Sequence, residues 1–212
     1  IFFDENGTFL SEKTNEELSE RLAHTERAVI PGFYGSNPDG TIHTFSRGGS
    51  DITGSIVARA IHADLYENWT DVSGFLVTDP RIVENPVPIE TITYKELREL
   101  AYMGASVLHE DAIFPVRREG IPINIRNTNK PEDPGTLIVE NTCRKPKYTI
   151  TGIAGKTGFC SVTIDKAMMN SEIGFGRKVL GVFEDCGISF EHMPSGIDTM
   201  TIFVHQSEFE QH

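Results

Sequence analysis

Short apolar runs alternate with stretches of helical periodicity through the first two-thirds of this 212-residue chain, and few folds accommodate that order. Residues 1–3, 28–30 and 40–45 read as strands, and Asn6-Gly7 and Pro31-Gly32 as turns. Residues 52–63 carry Ile52, Ile56, Val57 and Ala60 at helical spacing, and residues 65–69 read as the next strand. Two capping boxes, Thr14-Asn15-Glu16-Glu17 and Thr93-Tyr94-Lys95-Glu96, predict helix starts; the first precedes Leu18, Leu22 and Ala23, the second Leu97, Leu100, Ala101 and Met103. A short helix over 113–118 and strands over 121–125 and 136–139 complete the series. Strands that alternate with helices pair in parallel, because the helix is the crossover that parallel pairing requires. The expected fold over residues 1–140 is an α/β three-layer sandwich with a mainly parallel sheet.

Composition then shifts. Residues 140–148 are polar and basic, which places a linker at 141–150. Beyond it the pattern is strand (159–164), helix (172–186), strand (188–192) and strand (199–204). Over residues 151–212 that order is the first part of a βαββαβ ferredoxin-like α+β unit.

The formal net charge is −12, and so negative a surface repels phosphodiester backbones and anionic lipid. Nucleic acid and membrane are therefore not expected partners. No apolar run approaches the ~20 residues that span a bilayer. Cys143, Cys160 and Cys186 stand far apart, with no CxxC and no Cys/His cluster, so no metal-ligating set is expected. Reduced thiols fit a cytoplasmic protein.

Two segments carry the chemistry. In Ser46-Arg47-Gly48-Gly49-Ser50-Asp51, two glycines let backbone N–H groups approach an anion, and the helix behind them points its positive end the same way. Arg47 can grip a carboxylate through a bidentate fork. Asp51 could orient cations or a metal near phosphates. The same residues serve equally as an ordinary helix start capped by Ser50 or Asp51. In the second segment, from Trp69 to Arg81, Thr70 and Asp71 could hydrogen-bond a nucleotide and Arg81 could balance phosphate charge. It follows a strand, where an open α/β sheet places its ligand loops. As a surface loop it would need those residues only for turns. His109 reads first as a hydrogen-bonded structural histidine, and Asn127-Thr128, after a strand, could face a ligand or simply make an Asx turn. Neither G-x-S-x-G nor G-x-x-x-x-G-K-[ST] occurs, which excludes a hydrolase elbow and a P-loop.

Taken in order, several motifs resemble the aspartate kinases of the amino-acid kinase superfamily. They are Pro31-Gly32-Phe33-Tyr34-Gly35, Arg47-Gly48-Gly49-Ser50-Asp51, Trp69-Thr70-Asp71-Val72-Ser73-Gly74, Asp79-Pro80-Arg81, Tyr102-Met103-Gly104-Ala105 with Val107-Leu108-His109, and Asn127-Thr128. The resemblance implies transfer of the γ-phosphoryl group of ATP, with Mg²⁺, to the side-chain carboxylate of L-aspartate. This is the first step toward lysine, threonine and methionine. It implies that Arg47, Gly48, Gly49 and Ser50 hold aspartate, that Asp51 is catalytic, and that Thr70, Asp71, Leu76, Arg81, Ser106 and Val107 line the nucleotide site. Ser106 stands where most of the family has a lysine, and Leu76 where a tyrosine is common. The family's Lys-Phe-Gly-Gly-Ser start has no counterpart, so residues 1–140 are expected to be the C-terminal half of a kinase domain.

Residues 155–204 resemble the first ACT module of the same enzymes, including Met193-Pro194-Ser195-Gly196-Ile197-Asp198. ACT modules pair across subunits, which implies a homodimer or higher oligomer. The resemblance places a feedback amino acid, lysine first and threonine as the alternative, on Met169, Gly174, Phe175, Gly176, Ser189, Phe190 and Glu191. Two other readings are an amino-acid-sensing chain without catalysis and a kinase acting on another amino acid.

Overall fold

The computed structural model describes residues 1–45, 48–102, 110–142 and 148–211. It divides into two compact units, 1–155 and 156–212, each taken by itself below.

Unit 1 contains helix α1 (Ser11–Leu22), strands β1 (Tyr34–Ser36) and β2 (Ile42–Thr44), and helix α2 (Gly49–Ala60). Strands β3 (Tyr66–Thr70) and β4 (Thr91–Thr93), helices α3 (Tyr94–Tyr102) and α4 (Glu110–Arg118), and strands β5 (Ile123–Asn127) and β6 (Thr136–Val139) follow. The main sheet has the order β3-β5-β6-β4. Strands β3 and β5 pair in parallel, as do β4 and β6; only β5 and β6 are antiparallel. The fold is thus α/β with a mainly parallel sheet, as the alternation predicts. Strand β5 alternates buried and half-buried residues, and its Ile123 and Ile125 are fully enclosed with Ile92, Leu97, Val116 and Ile138. Each such aliphatic side chain contributes about 1.5–3 kcal/mol by leaving water.

A buried cation fixes the helices around this core. Arg59 of α2, 8% exposed, reaches Glu12 of α1 (3.2 Å), Glu119 after α4 (3.2 Å) and the Ser11 hydroxyl (2.8 Å). So nearly enclosed a charge is tolerated because its donors meet carboxylates.

Several expected elements are displaced. The Thr14 box does not begin a helix: α1 starts three residues earlier, and the fully buried Thr14 hydroxyl instead accepts the Phe2 N–H at 2.9 Å. Residues 28–30 form no strand; Val29 is fully exposed, and β1 lies beyond Pro31-Gly32. The Thr93 box is real: the Glu96 N–H bonds the Thr93 hydroxyl, and the Thr93 N–H bonds the Glu96 carboxylate.

The boundary between units falls at Gly155–Lys156, beyond residues 141–150. Thr151 and Ile153 belong to unit 1, where they bond the Glu96 carboxylate (2.6 Å) and the Val77 carbonyl (2.6 Å).

Unit 2 comprises β7 (Phe159–Asp165), a 3-10 turn (Met169–Ser171), α5 (Phe175–Asp185), β8 (Phe190–His192), β9 (Thr199–His205) and α6 (Gln206–Phe209). The sheet is antiparallel in the order β7-β9-β8. Phe183 of α5 packs with Met169, Ile188, Met200, Ile202 and Val204 in a separate core. The strand, helix, strand, strand order is that of a ferredoxin-like module.

Candidate active site

The double-glycine segment turns into α2. Gly48 has φ +63°, a left-handed conformation that glycine adopts freely and other residues rarely do. Gly49 is required for a second reason: a Cβ there would lie 2.7 Å from the Phe33 ring and 2.8 Å from Phe45. The helix start is also stitched to the chain before it. Thr53 donates to the Gly49 carbonyl (2.7 Å) and accepts the Phe33 N–H (3.1 Å). Phe33 itself sits at φ +79°, an unusual backbone state for a bulky residue.

Asp51 lies in the first turn of α2 and is half-buried. Its Oδ1 accepts a hydrogen bond from the Asn68 side-chain amide at 3.0 Å, and its backbone carbonyl accepts one from the Tyr66 hydroxyl at 3.1 Å. Asn68 also donates to the Tyr66 hydroxyl at 3.0 Å. Burial pushes the Tyr66 hydroxyl above its ordinary pKa, and the Asp51 charge pushes it further, so it stays protonated. Tyr66, Asn68 and Thr70 alternate along β3 and therefore share the sheet face that meets α2. Thr70 is the last residue of that strand, about 7 Å beyond Asn68. The start of α2 is thus bonded to the middle of β3, and the Thr70-Asp71 corner follows at the carboxyl end of that strand, the end where open α/β sheets hold ligands.

The loop after β3 is built on Thr136. Gly74, at φ +100°, passes so close to Thr136 that no side chain fits, and the Thr136 hydroxyl accepts the Phe75 N–H at 2.8 Å. Ser73 donates to Asp133 (2.6 Å) and accepts from Asn127 (2.9 Å), which links this loop to the end of β5. Leu76 is bridged to Pro88 and 38% exposed. Arg81 is held by Asp79 through a short ion pair of 2.6 Å, and those bonds lower the Asp79 pKa to about 2. Arg81 is exposed, and among the described residues its side chain pairs with Asp79. Ser50 and Asp71 are exposed as well. Arg47, Ser106 and Val107 lie outside the described residues.

Sequence reasoning missed Asn68 and Tyr66, and it took Phe33 only as part of the Pro31-Gly32-Phe33-Tyr34-Gly35 motif, with no role of its own. Asn68 did carry a signal: strands are depleted in Asn, and here one sits where alternation predicts an aliphatic residue.

In unit 2 the seven candidate effector residues form two groups. Gly174 (φ +80°) precedes α5, whose first residues are Phe175 and Gly176, and buried Met169 lies in the turn before it. Ser189, Phe190 and Glu191 lie past the other end of α5; Glu191 pairs with His205 at 3.1 Å, and the Ser189 N–H bonds Glu208 at 3.3 Å. An eleven-residue helix separates the groups by about 16 Å.

Among the described residues no three His, Cys, Asp or Glu side chains cluster as a metal cage, and no helix is long and apolar enough to cross a membrane. Magnesium bound with a nucleotide needs only one or two carboxylates besides phosphate oxygens. Asp51 at the α2 start fits that demand.

Comparison with known proteins gives the family. Residues 5–127 match the Amino acid kinase family. Over 185 residues the chain is 50% identical to Aspartokinase 3 of Bacillus subtilis, covering 86% of this chain and 40% of that protein. The crystal structure of Clostridium acetobutylicum aspartate kinase superposes with a TM-score of 0.89 at 58% identity, over all of this chain and 49% of that one. Escherichia coli aspartokinase III, solved in complex with aspartate and ADP, superposes at a TM-score of 0.69 and 32% identity, over 94% of this chain and 44% of that one. The same enzyme in complex with lysine and aspartate gives 0.67 at 27% identity, over 99% of this chain and 50% of that one. The chain therefore spans about half the length, or less, of these relatives.

Proposed function

The chain belongs to the amino acid kinase family, and from that premise we propose that it is part of an aspartate kinase under amino-acid control. In the proposed reaction a side-chain carboxylate oxygen of L-aspartate attacks the γ-phosphorus of ATP. The bond from that phosphorus to the bridging oxygen breaks, ADP leaves, and 4-phospho-L-aspartate forms. The attacking carboxylate is already ionised, so no base is needed. The barrier is the approach of two anions, and catalysis is charge placement.

On this reading the N-terminal turn of α2 supplies unpaired N–H groups and the positive end of its dipole. Gly48, Gly49 and Ser50 present that backbone to aspartate, and Arg47 takes the α-carboxylate. Asp51 orients the cations that travel with the nucleotide; magnesium there would neutralise phosphate oxygens. Thr70, Asp71, Leu76, Arg81, Ser106 and Val107 face ATP. The relatives solved with aspartate, ADP and lysine support this assignment of ligands. The observation that carries the reading is the Asp51–Asn68 bond, which ties the glycine turn to the strand ending in Thr70-Asp71.

Residues 1–140 are read as the C-terminal half of the kinase domain, residues 141–150 as a linker and residues 151–212 as the start of an ACT module. The two effector groups stand at opposite ends of α5, so one amino acid would be gripped between two copies of the chain. The proposed setting is the cytoplasm, and the product feeds lysine, threonine and methionine synthesis.

The test is a coupled assay of ADP release on the full-length protein, with aspartate, with glutamate, and with neither. Aspartate-dependent release supports the reading. Release with glutamate instead would assign another amino-acid kinase, and no release with either would leave a sensing chain. In the active protein, Arg47→Ala is expected to raise KM for aspartate far more than KM for ATP. Equal losses would overturn the role given to Arg47.

A further inference from the structure

Asn68 is an unusual residue for its place. It lies in β3 directly beside Ile125, 8% exposed, in a sheet whose other inward positions include Ile123, Ile125 and Ile138. An aliphatic residue would satisfy that core. A buried amide loses water contacts and must regain them through hydrogen bonds.

The bonds it makes have only one self-consistent direction. An ionised carboxylate accepts only, so Asn68 must present its NH₂ to Asp51 Oδ1. The second proton of that NH₂ points to the Tyr66 oxygen. Tyr66 has a single proton, and it goes to the Asp51 carbonyl. The amide cannot flip without placing its oxygen against the carboxylate. One face of β3 thereby fixes both the backbone and the side chain of Asp51.

The helix is shaped to receive this arrangement. Gly54 sits inside α2, where glycine costs about 1 kcal/mol relative to alanine. A Cβ there would lie 2.7 Å from the Tyr66 hydroxyl. The missing methyl group is the space that the tyrosine ring occupies.

We propose that Asn68, braced by Tyr66, is a positioning residue that holds the Asp51 carboxylate in its working orientation. The proposal rests on the reading of Asp51 as the carboxylate of a phosphoryl-transfer site. Asn68 touches neither substrate in this scheme; it acts through Asp51 alone.

The test uses the full-length protein. Asn68→Leu keeps the volume and removes the donor, and Tyr66→Phe removes only the hydroxyl. Asn68→Leu is expected to lower kcat with aspartate by about tenfold to a hundredfold, the size of a lost hydrogen bond to a charged group. KM for ATP should stay within about twofold, and the melting temperature should fall by no more than the few degrees that one lost hydrogen bond costs. Tyr66→Phe should lower kcat less, by about threefold to tenfold. Introduced into Asp51→Asn, Asn68→Leu should bring almost no further loss of kcat, because the carboxylate charge that Asn68 orients is gone. Wild-type kcat in Asn68→Leu would overturn the proposal, and so would a full further loss in the Asp51→Asn background. If Asn68→Leu fails to fold, Tyr66→Phe alone decides, with an unchanged kcat counting against. An Asp51→Asn protein as active as wild type would instead refute the role of Asp51 itself, a different failure.

Discussion

Helices α2 and α5 begin with the same local device and put it to different use. Each follows a glycine in the left-handed conformation, Gly48 at φ +63° and Gly174 at φ +80°, and neither has a side-chain cap. Around α2 the space is full. Gly49 is pressed between Phe33 and Phe45, Thr53 stitches the turn to Phe33, and Asp51 is bound to β3. Around α5 it is open: a Cβ on Gly174 would meet nothing within 4 Å, and one on Gly176 would reach only Met200, at 3.5 Å. A glycine before a helix therefore says nothing about preorganisation. What surrounds it does, and the packed start suits a reaction that needs charges fixed in advance, while the open one suits a ligand that arrives and leaves.

The contrast predicts a ranking of alanine substitutions. Gly49→Ala should be the most damaging, because its methyl group would overlap two aromatic side chains and the Phe33 backbone. We expect a loss of about 3 kcal/mol by denaturant melts of the full-length protein, near the upper end for overpacking. A melt like wild type would show that the α2 start yields, and the contrast with α5 would collapse. Gly54→Ala comes next. The end of a tyrosine side chain can move more readily than backbone, so about 1–2 kcal/mol is expected. The accompanying fall in kcat should match that of Tyr66→Phe, because both displace the same hydroxyl; a fall without that match would uncouple Gly54 from Tyr66.

Helix α3 offers a third kind of start, with side chains and no glycine. The Glu96 carboxylate is held below its usual pKa, chiefly by the Thr151 hydroxyl and then by Thr93. A carboxylate whose folded pKa is depressed adds stability above its unfolded pKa, and that stability disappears as pH falls through the folded value. Glu96→Gln should therefore be less stable than wild type by about 1 kcal/mol at neutral pH. The gap should close as the pH drops below the ordinary carboxylate range. A gap that persists in acid would mean that shape, not charge, makes this cap.

These helix starts also show what the sequence could disclose. The Thr93 box was legible because its reciprocal bonds run between Thr93 and Glu96, within four residues, and the distant Thr151 hydroxyl adds to them without displacing them. The Thr14 box has the same letters, but a distant residue, Phe2, claims its hydroxyl. The alternation of strands and helices was legible because periodicity is local; β4, three residues long, was too short to show it. Residues 28–30 look like a strand by composition, yet Val29 is fully exposed, and no local rule reveals whether a partner strand lies alongside. For the candidate site, the glycine turn and the Thr70-Asp71 corner were visible as motifs. That the first is bonded to the strand leading to the second was not, since the bond runs from Asn68 to Asp51, seventeen positions apart, and depends on how α2 lies on β3.

The smallest effect is the most informative about unit 2. Gly176→Ala adds a methyl group at ordinary contact distance in a helical position that favours alanine. Stability should change by less than about 0.5 kcal/mol, in contrast to Gly49. If the N-terminal turn of α5 receives the carboxylate of a feedback amino acid, the same methyl group intrudes where that carboxylate must come close to backbone N–H groups. The expected protein is then fully stable and active, yet needs more lysine for half-maximal inhibition than wild type does. Unaltered lysine response in a stable Gly176→Ala protein would remove α5 from the effector site and leave Ser189, Phe190 and Glu191 as the group to test.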